Sequence, residues 1–355
     1  MGKLRLFLRS CVATPFNVVL SAATLLLVGW LLADLLSWAV IDAVWRGNSS
    51  RACDGHDAAC WVFIRLRFEQ LLYGPYPASE RWRVAIVAML AVLAIGLMLM
   101  PMRNTERRRL VGLAALILLP FIAAPLLAGG FWGLKRVPTT DWGGIMLTIV
   151  IASWTIATSI PLGLLLALGR RSQLPVISYA CATFIELWRS LPLIGVLFLA
   201  VVMFPLFVPQ GFESDKLVRA LIAFTLFNAA IFAEVFRGGL QAIPHGQQEA
   251  ARSLGLGYWR TTGLVVLPQV IRIVMPGMIN TCVSIIKETT VVLIIGLIEF
   301  LAVLQIAFAD PEWLIGDQVR QTGYLFAALV FWSLCFGLSR YSARLDRGMR
   351  AASAH

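Results

Sequence analysis

Eight apolar segments, each near the length a helix needs to cross a bilayer, dominate this chain of 355 residues. They run approximately over Phe16–Val40, Val84–Met100, Leu110–Gly130, Gly144–Leu168, Leu191–Val208, Leu217–Val235, Ile273–Ile298 and Gly323–Leu338. A hydrocarbon core about 30 Å thick requires about 20 apolar residues per helix. Composition agrees, with 59% hydrophobic and 14% charged residues, against about 45–50% and about 25% in soluble domains. The expected fold is an all-α integral membrane protein with about eight transmembrane helices, and a soluble enzyme is excluded.

The net charge of +11 would suit nucleic acid in a soluble chain. In one this apolar, basic residues mark cytoplasmic loops and anionic headgroups instead. Lys3, Arg5 and Arg9 precede the first segment, which is too long for a signal peptide's apolar stretch and lacks a cleavage site, so it reads as a span. If the N-terminus is cytoplasmic, the inner segments carry 18 basic residues and the outer ones 11, with Lys287 inside a span. The inner set includes Arg103, Arg107–Arg109, Arg170, Arg171, Arg237 and Arg340–Arg350. The positive-inside rule then puts both termini in the cytoplasm, as in a multi-pass protein of a bacterial inner membrane.

One outer loop is long, at about residues 42–83, and contains Cys53 and Cys60. Cys11, at the N-terminal edge, and Cys181 also lie outside the spans. In an oxidising compartment a Cys53–Cys60 disulfide would close a small loop; two unpaired thiols are the alternative. His56 with Asp54 or Asp57 makes a poor zinc set, so no metal is expected. The stretch from Trp61 to Leu72 mixes aromatics with Arg65 and Arg67 and suits a helix at the headgroup level.

Searches for catalytic machinery return negatives. The four lysines, Lys3, Lys135, Lys216 and Lys287, lie in no phosphate-cradling glycine loop. His56, His245 and His355 form no zinc-protease pair, and no Gly-x-Ser-x-Gly elbow is present. No catalytic residues and no cofactor are expected, so an energy source must be an ion gradient or another subunit.

The strongest signal is the inner stretch from Gly246 to Pro268. Pro244 and Gly246 break the preceding helix, and a short helix over Gln247–Leu254 follows. Gly255 and Gly257 supply a turn, and a second helix over Tyr258–Val266 ends at Pro268. Ala250 and Ala251 would admit a close partner backbone, while Glu249 and Arg252, three apart, can pair with each other or with that partner. An ordinary amphipathic loop is the plain alternative.

Glu249-Ala250-Ala251, Gly255 and Leu267-Pro268 together resemble the EAA loop of ABC importer permeases. Phe227-Asn-Ala-Ala before them and Lys287-Glu-Thr-Thr after them are similar to the polar-amino-acid subfamily, and the resemblance covers roughly Trp142 to Arg347. Two departures are His245, where Lys is frequent, and Lys-Glu-Thr-Thr for the usual Lys-Asp-Thr-Ser. The resemblance implies a five-helix permease core at 136–345, an N-terminal three-helix extension at 1–135 and a cytoplasmic tail at 346–355. It implies that Glu249, Ala250, Ala251, Arg252, Gly255, Leu267 and Pro268 couple the chain to a cytoplasmic ATPase dimer. A second permease subunit in a heterodimer, a periplasmic amino-acid-binding protein and an amino-acid substrate would complete the system.

Charges in or near the spans are costly. Lys287 and Glu288, about 100° apart on a helix, are candidates with Thr289 for lining a translocation path; an interhelical ion pair is the alternative. Glu234 with Arg237, and Glu186 with Arg189, have the spacing of structural pairs. Pro161, Pro192, Pro205 and Pro276 break spans or their ends, either beside a cavity or as plain kinks. Two other functions fit the composition. An ion-coupled secondary transporter would show an inverted repeat, which is not visible, and a membrane scaffold leaves the Glu-Ala-Ala bracket without a role.

Overall fold

A computed structural model describes residues 13–99, 105–131, 133–209 and 214–352. Lys3, Arg5, Arg9, Cys11, Met100, Arg103 and His355 lie outside the described residues, as do the side chains of Arg107–Arg109 and of Arg344, Arg347 and Arg350. The described residues are helical, apart from turns, loops and two isolated backbone bridges. Six of their helices are long and apolar enough to cross a membrane, or seven if one bent pair counts as a single span. The expected figure of eight is not reached by that measure.

In chain order, the helices are α1 (Pro15–Leu36), α2 (Trp61–Tyr73), α3 (Arg81–Leu99), α4 (Thr105–Ala128), α5 (Gly144–Arg170) and α6 (Pro175–Ser190). Then come α7 (Leu193–Phe207), α8 (Lys216–Gln241), α9 (His245–Ser253), α10 (Tyr258–Leu293), α11 (Phe300–Phe308) and α12 (Asp317–Ala352). Thr14 begins α1 by accepting a hydrogen bond from the Asn17 N–H, a standard N-cap. No residue of α1 is buried, which suits a helix surrounded by hydrocarbon.

By compactness the chain forms two units, Met1–Phe68 with Ile306–Phe326, and Glu69–Gln305 with Ala327–His355. In the first, Val44 and Trp38 exchange backbone hydrogen bonds with Ala59 and Trp61, and a Cys53–Cys60 disulfide closes the intervening loop. Phe63 packs against Phe308 and Trp313, and Arg67 pairs with Asp310. The headgroup expectation for α2 is thus modified. Val62 and Phe63 are buried in protein, and Arg65 donates to the Gly47 carbonyl.

In the second unit α3 pairs with α4, while α5 lies along α8, which also packs on α10. Small residues make the α5–α8 contact possible, because backbones can then approach closely in a membrane. Gly163 is decisive there: a Cβ at this position would stand 2.6 Å from the Phe232 Cβ and 2.9 Å from the Ala229 oxygen. Two apolar clusters fill the unit. One is built around Leu147, Ile151, Phe224 and Val292, the other around Phe232, Phe236, Val270 and Ile285.

Of the prolines expected to break spans or their ends, Pro192 does so, whereas Pro161 and Pro276 do not. The run read as one span at Leu191–Val208 belongs to a pair of helices, α6 and α7, bent by 102°. Leu191 is extended (φ −90°, ψ 141°), as the residue before a proline tends to be, and Pro192 starts α7. Pro161 and Pro276 instead lie inside continuous helices, since neighbouring groups can satisfy the carbonyls a proline frees. Pro268 ends nothing. A π-helical turn at Thr261–Val266 precedes it, and that turn absorbs the ring and its missing N–H, so α10 continues unbroken.

Candidate functional site

The Glu-Ala-Ala bracket is the exposed helix α9, entered through Pro244 in extended conformation and left through a left-handed residue. Leu256 N–H donates to the Ala251 carbonyl and Gly255 N–H to that of Arg252, the pair of bonds that defines a Schellman ending. Gly255 occupies the left-handed position at φ +78°, whereas Gly257 is the ordinary start of the next helix at φ −67°. One glycine of the two therefore makes the turn. Thr261, buried, donates to the Leu256 carbonyl at 3.1 Å and locks the turn against α10.

On α9 Ala251 faces inward at 4% exposure, while Glu249, Ala250 and Arg252 are exposed. Glu249 and Arg252 form no ion pair with each other among the described residues, so both remain available to a partner. Leu254, Trp259 and Leu264 beside them are also exposed, an apolar patch of the kind that marks protein contact. Leu267 is half-buried and Pro268 exposed, at the junction of the π-helical turn with the rest of α10.

Behind the bracket, α5, α6 and α8 meet in a charge network. Glu234 accepts from Arg170 at 2.8 Å and pairs with Arg237 at 2.7 Å, with Arg189 at 3.7 Å. Glu186 pairs with Arg170 at 3.2 Å, not with Arg189 three residues on as its spacing suggested. The Glu234–Arg237 pair matches its spacing; the participation of Arg170, distant in sequence, is visible only in three dimensions.

Between α5, α8 and α10 lies a polar seam. Thr155, Ser159 and Asn228 are fully buried, and the Thr158 and Thr225 hydroxyls are 2.8 Å apart. Lys287 is exposed, Glu288 half-buried and Thr289 buried, its hydroxyl donating to the Ile286 carbonyl. Lys287 and Glu288 diverge, as adjacent helical positions must, and Asn228 lies beside the Glu288 carboxyl. Glu288 Oε2, Asn228 Oδ1 and Thr155 Oγ1 are buried without a hydrogen-bond partner. Such orphaned acceptors are costly and are suited to a donor brought by a ligand. Sequence reasoning missed Asn228; its signal was an uncharged polar residue within an alanine-rich span.

Cys53 and Cys60, bonded with Cα atoms 5.8 Å apart, belong to the other compact unit. No group of three or more potential metal ligands occurs among the described residues.

Comparison with known proteins supplies the relatives. A family model described as "Binding-protein-dependent transport system inner membrane component" matches residues 159–351. The chain is 45% identical over 331 residues to the inner membrane amino-acid ABC transporter permease protein YhdY of Escherichia coli (strain K12), covering 93% of this chain and 89% of that one. It is 31% identical over 413 aligned residues to the glutamate/glutamine/aspartate/asparagine transport system permease protein BztC of Rhodobacter capsulatus, covering 99% and 94%. Its fold is similar to that of a crystal structure of an amino acid ABC transporter with histidines, at a TM-score of 0.51 and 24% identity, over 57% of this chain and 91% of that one.

Proposed function

The chain belongs to the family of binding-protein-dependent transport system inner membrane components, and on that premise we propose that it is the permease of an ABC importer that carries amino acids into the cytoplasm by alternating access. The observation that carries this reading is α9. It is a short exposed helix with Glu249, Ala250 and Arg252 outward, fixed by Gly255 to the base of a membrane-spanning helix. A nucleotide-driven closure of a cytoplasmic ATPase dimer seated on Glu249, Ala250, Ala251, Arg252, Gly255, Leu267 and Pro268 would pass directly into α10. The chain itself performs no chemistry and needs no cofactor in this reading.

Both termini are cytoplasmic, supported by the 18-to-11 bias of basic residues; the Cys53–Cys60 loop then faces the oxidising side. Residues 1–135 form a membrane extension, 136–345 the transport core and 346–355 a cytoplasmic tail. A second permease, in a heterodimer, supplies the other half of the path, and a periplasmic binding protein delivers the substrate. Lys287, Glu288 and Thr289 line that path. A zwitterionic amino acid offers an ammonium to Glu288 Oε2 and Asn228 Oδ1.

Purification with the partner subunits tests the assignment. Recovery of an ATPase with the wild-type chain, lost on Glu249→Lys or Gly255→Asp, is expected, together with uptake that requires ATP. Uptake that persists without any ATPase, or collapses with the ion gradient while ATP is maintained, overturns it in favour of an ion-coupled carrier.

A further inference from the structure

At the shared end of α5 and α8 is a cavity of about 430 Å³ lined by Arg170, Arg171, Arg237, Leu240, Gln241 and His245, among others. Its electrostatics are not balanced. Arg170, Arg189 and Arg237 share the carboxylates of Glu186 and Glu234, and Arg171 has no carboxylate partner among the described residues. Three guanidinium groups thus line the cavity, those of Arg170 and Arg237 shared with carboxylates and that of Arg171 with none among the described residues. The negative ends of α5 and α8 also reach this wall, but Arg171 Nη1 already donates to the Leu240 carbonyl at 3.3 Å, and its other N–H groups remain available. The Gln241 Oε1 accepts from Arg237 at 3.0 Å, leaving its amide N–H₂ free to donate. α9 starts at His245 with no side-chain cap, so its positive end adds to the same sign.

Guanidinium forks matched by backbone N–H groups are the chemistry of phosphate recognition. We propose that this cavity binds a phosphoryl group, and that its position at the mouth of two membrane-spanning helices makes an anionic phospholipid headgroup the source. Basic pockets between spanning helices at the membrane boundary are suited to such headgroups. A lipid held there would bridge the ends of α5 and α8 to the start of α9, and so stiffen the base of the bracket.

The test places the purified complex in nanodiscs of phosphatidylcholine with a rising fraction of phosphatidylglycerol, and counts retained lipid by native mass spectrometry. Retention of phosphatidylglycerol is expected, with about tenfold weaker retention in Arg171→Gln. Gln241→Glu, which keeps every arginine and adds a negative charge, is expected to weaken it similarly. Inorganic phosphate separates the two sources: retention resistant to it assigns the site to lipid, and displacement assigns it to a soluble phosphoryl ligand; both outcomes support the anion site. Retention unchanged in both variants overturns the proposal. So does a loss of the ATPase subunit from Arg171→Gln with lipid retention unchanged, which would give the arginines to a protein contact.

Discussion

Arg170, the last residue of α5, donates to Glu234 of α8 across 2.8 Å. The bond joins residues 64 positions apart in the chain, and Glu234 is the hub through which Arg189 and Arg237 join them.

Replacing Glu234 by Gln therefore leaves three guanidinium groups without their common counter-charge. Removing one partner of a largely buried ion pair is costly, here about 1–3 kcal/mol given the partial exposure of the arginines. The thermal midpoint of the purified protein is expected to fall by several degrees. Arg189→Gln, which loses only the longest contact, should shift it far less.

At the bracket, Gly255→Ala forces a side chain into the left-handed region, at a cost of about 1 kcal/mol. Gly257→Ala meets ordinary backbone and no neighbour. Pull-down of the ATPase should weaken for the first and stay at the wild-type level for the second, with equal amounts of permease in the membrane. Equal loss for both would show that the turn depends on small size, not backbone sign.

Within the membrane, Gly163→Val drives a branched side chain into Phe232 and the Ala229–Ala233 backbone. Overpacking of this kind costs about 1–3 kcal/mol where the surroundings can yield, and here the nearest atoms include backbone. The membrane-inserted yield should drop, and the remaining protein should unfold at lower temperature.

Glu299, between the spans, is fully buried and caps α11 by accepting from the Leu301 and Ala302 N–H groups at 2.9 Å. Burial pushes its carboxyl up to about 7, against the hydrogen bonds that favour its charge. The folded state thus holds a proton that the unfolded chain releases nearer 4.5. Its contribution is complete below that lower value and is lost as pH rises through 7, a change on the order of 3 kcal/mol. Midpoints measured from pH 5 to 8 should decline with pH, and Glu299→Gln should flatten that slope.

For the proposed path, Glu288→Gln removes the charge that would meet a substrate ammonium while keeping the shape. Uptake should show a KM raised about tenfold, with ATPase recovery intact. An unchanged KM would take Glu288 out of the path.

The long apolar runs were legible because a bilayer imposes length and composition on each helix separately. The bracket was legible because α9 and its turn are local, built from residues within a dozen positions. Less legible was what proline does in a span. Pro192 breaks the chain after extended Leu191, while Pro161 and Pro276 lie inside continuous helices, and nothing in the apolar pattern around them distinguishes the two outcomes. Pro268 was misread for a related reason, since the π-helical turn that accommodates it leaves no mark in apolar periodicity. The partners of Arg170 and Glu186 were invisible because pairing across helices depends on packing, not spacing.

The continuity of α10 through Pro268 has a mechanical consequence. From Tyr258 to Glu288 it is a single rod, about 46 Å long at 1.5 Å per residue. A rod of that length pivoted near Tyr258 acts as a lever, so a tilt of about 5° at its foot sweeps Glu288 through about 4 Å. Had Pro268 cut the helix, the same tilt would have been spent at a joint, far from the buried seam around Asn228.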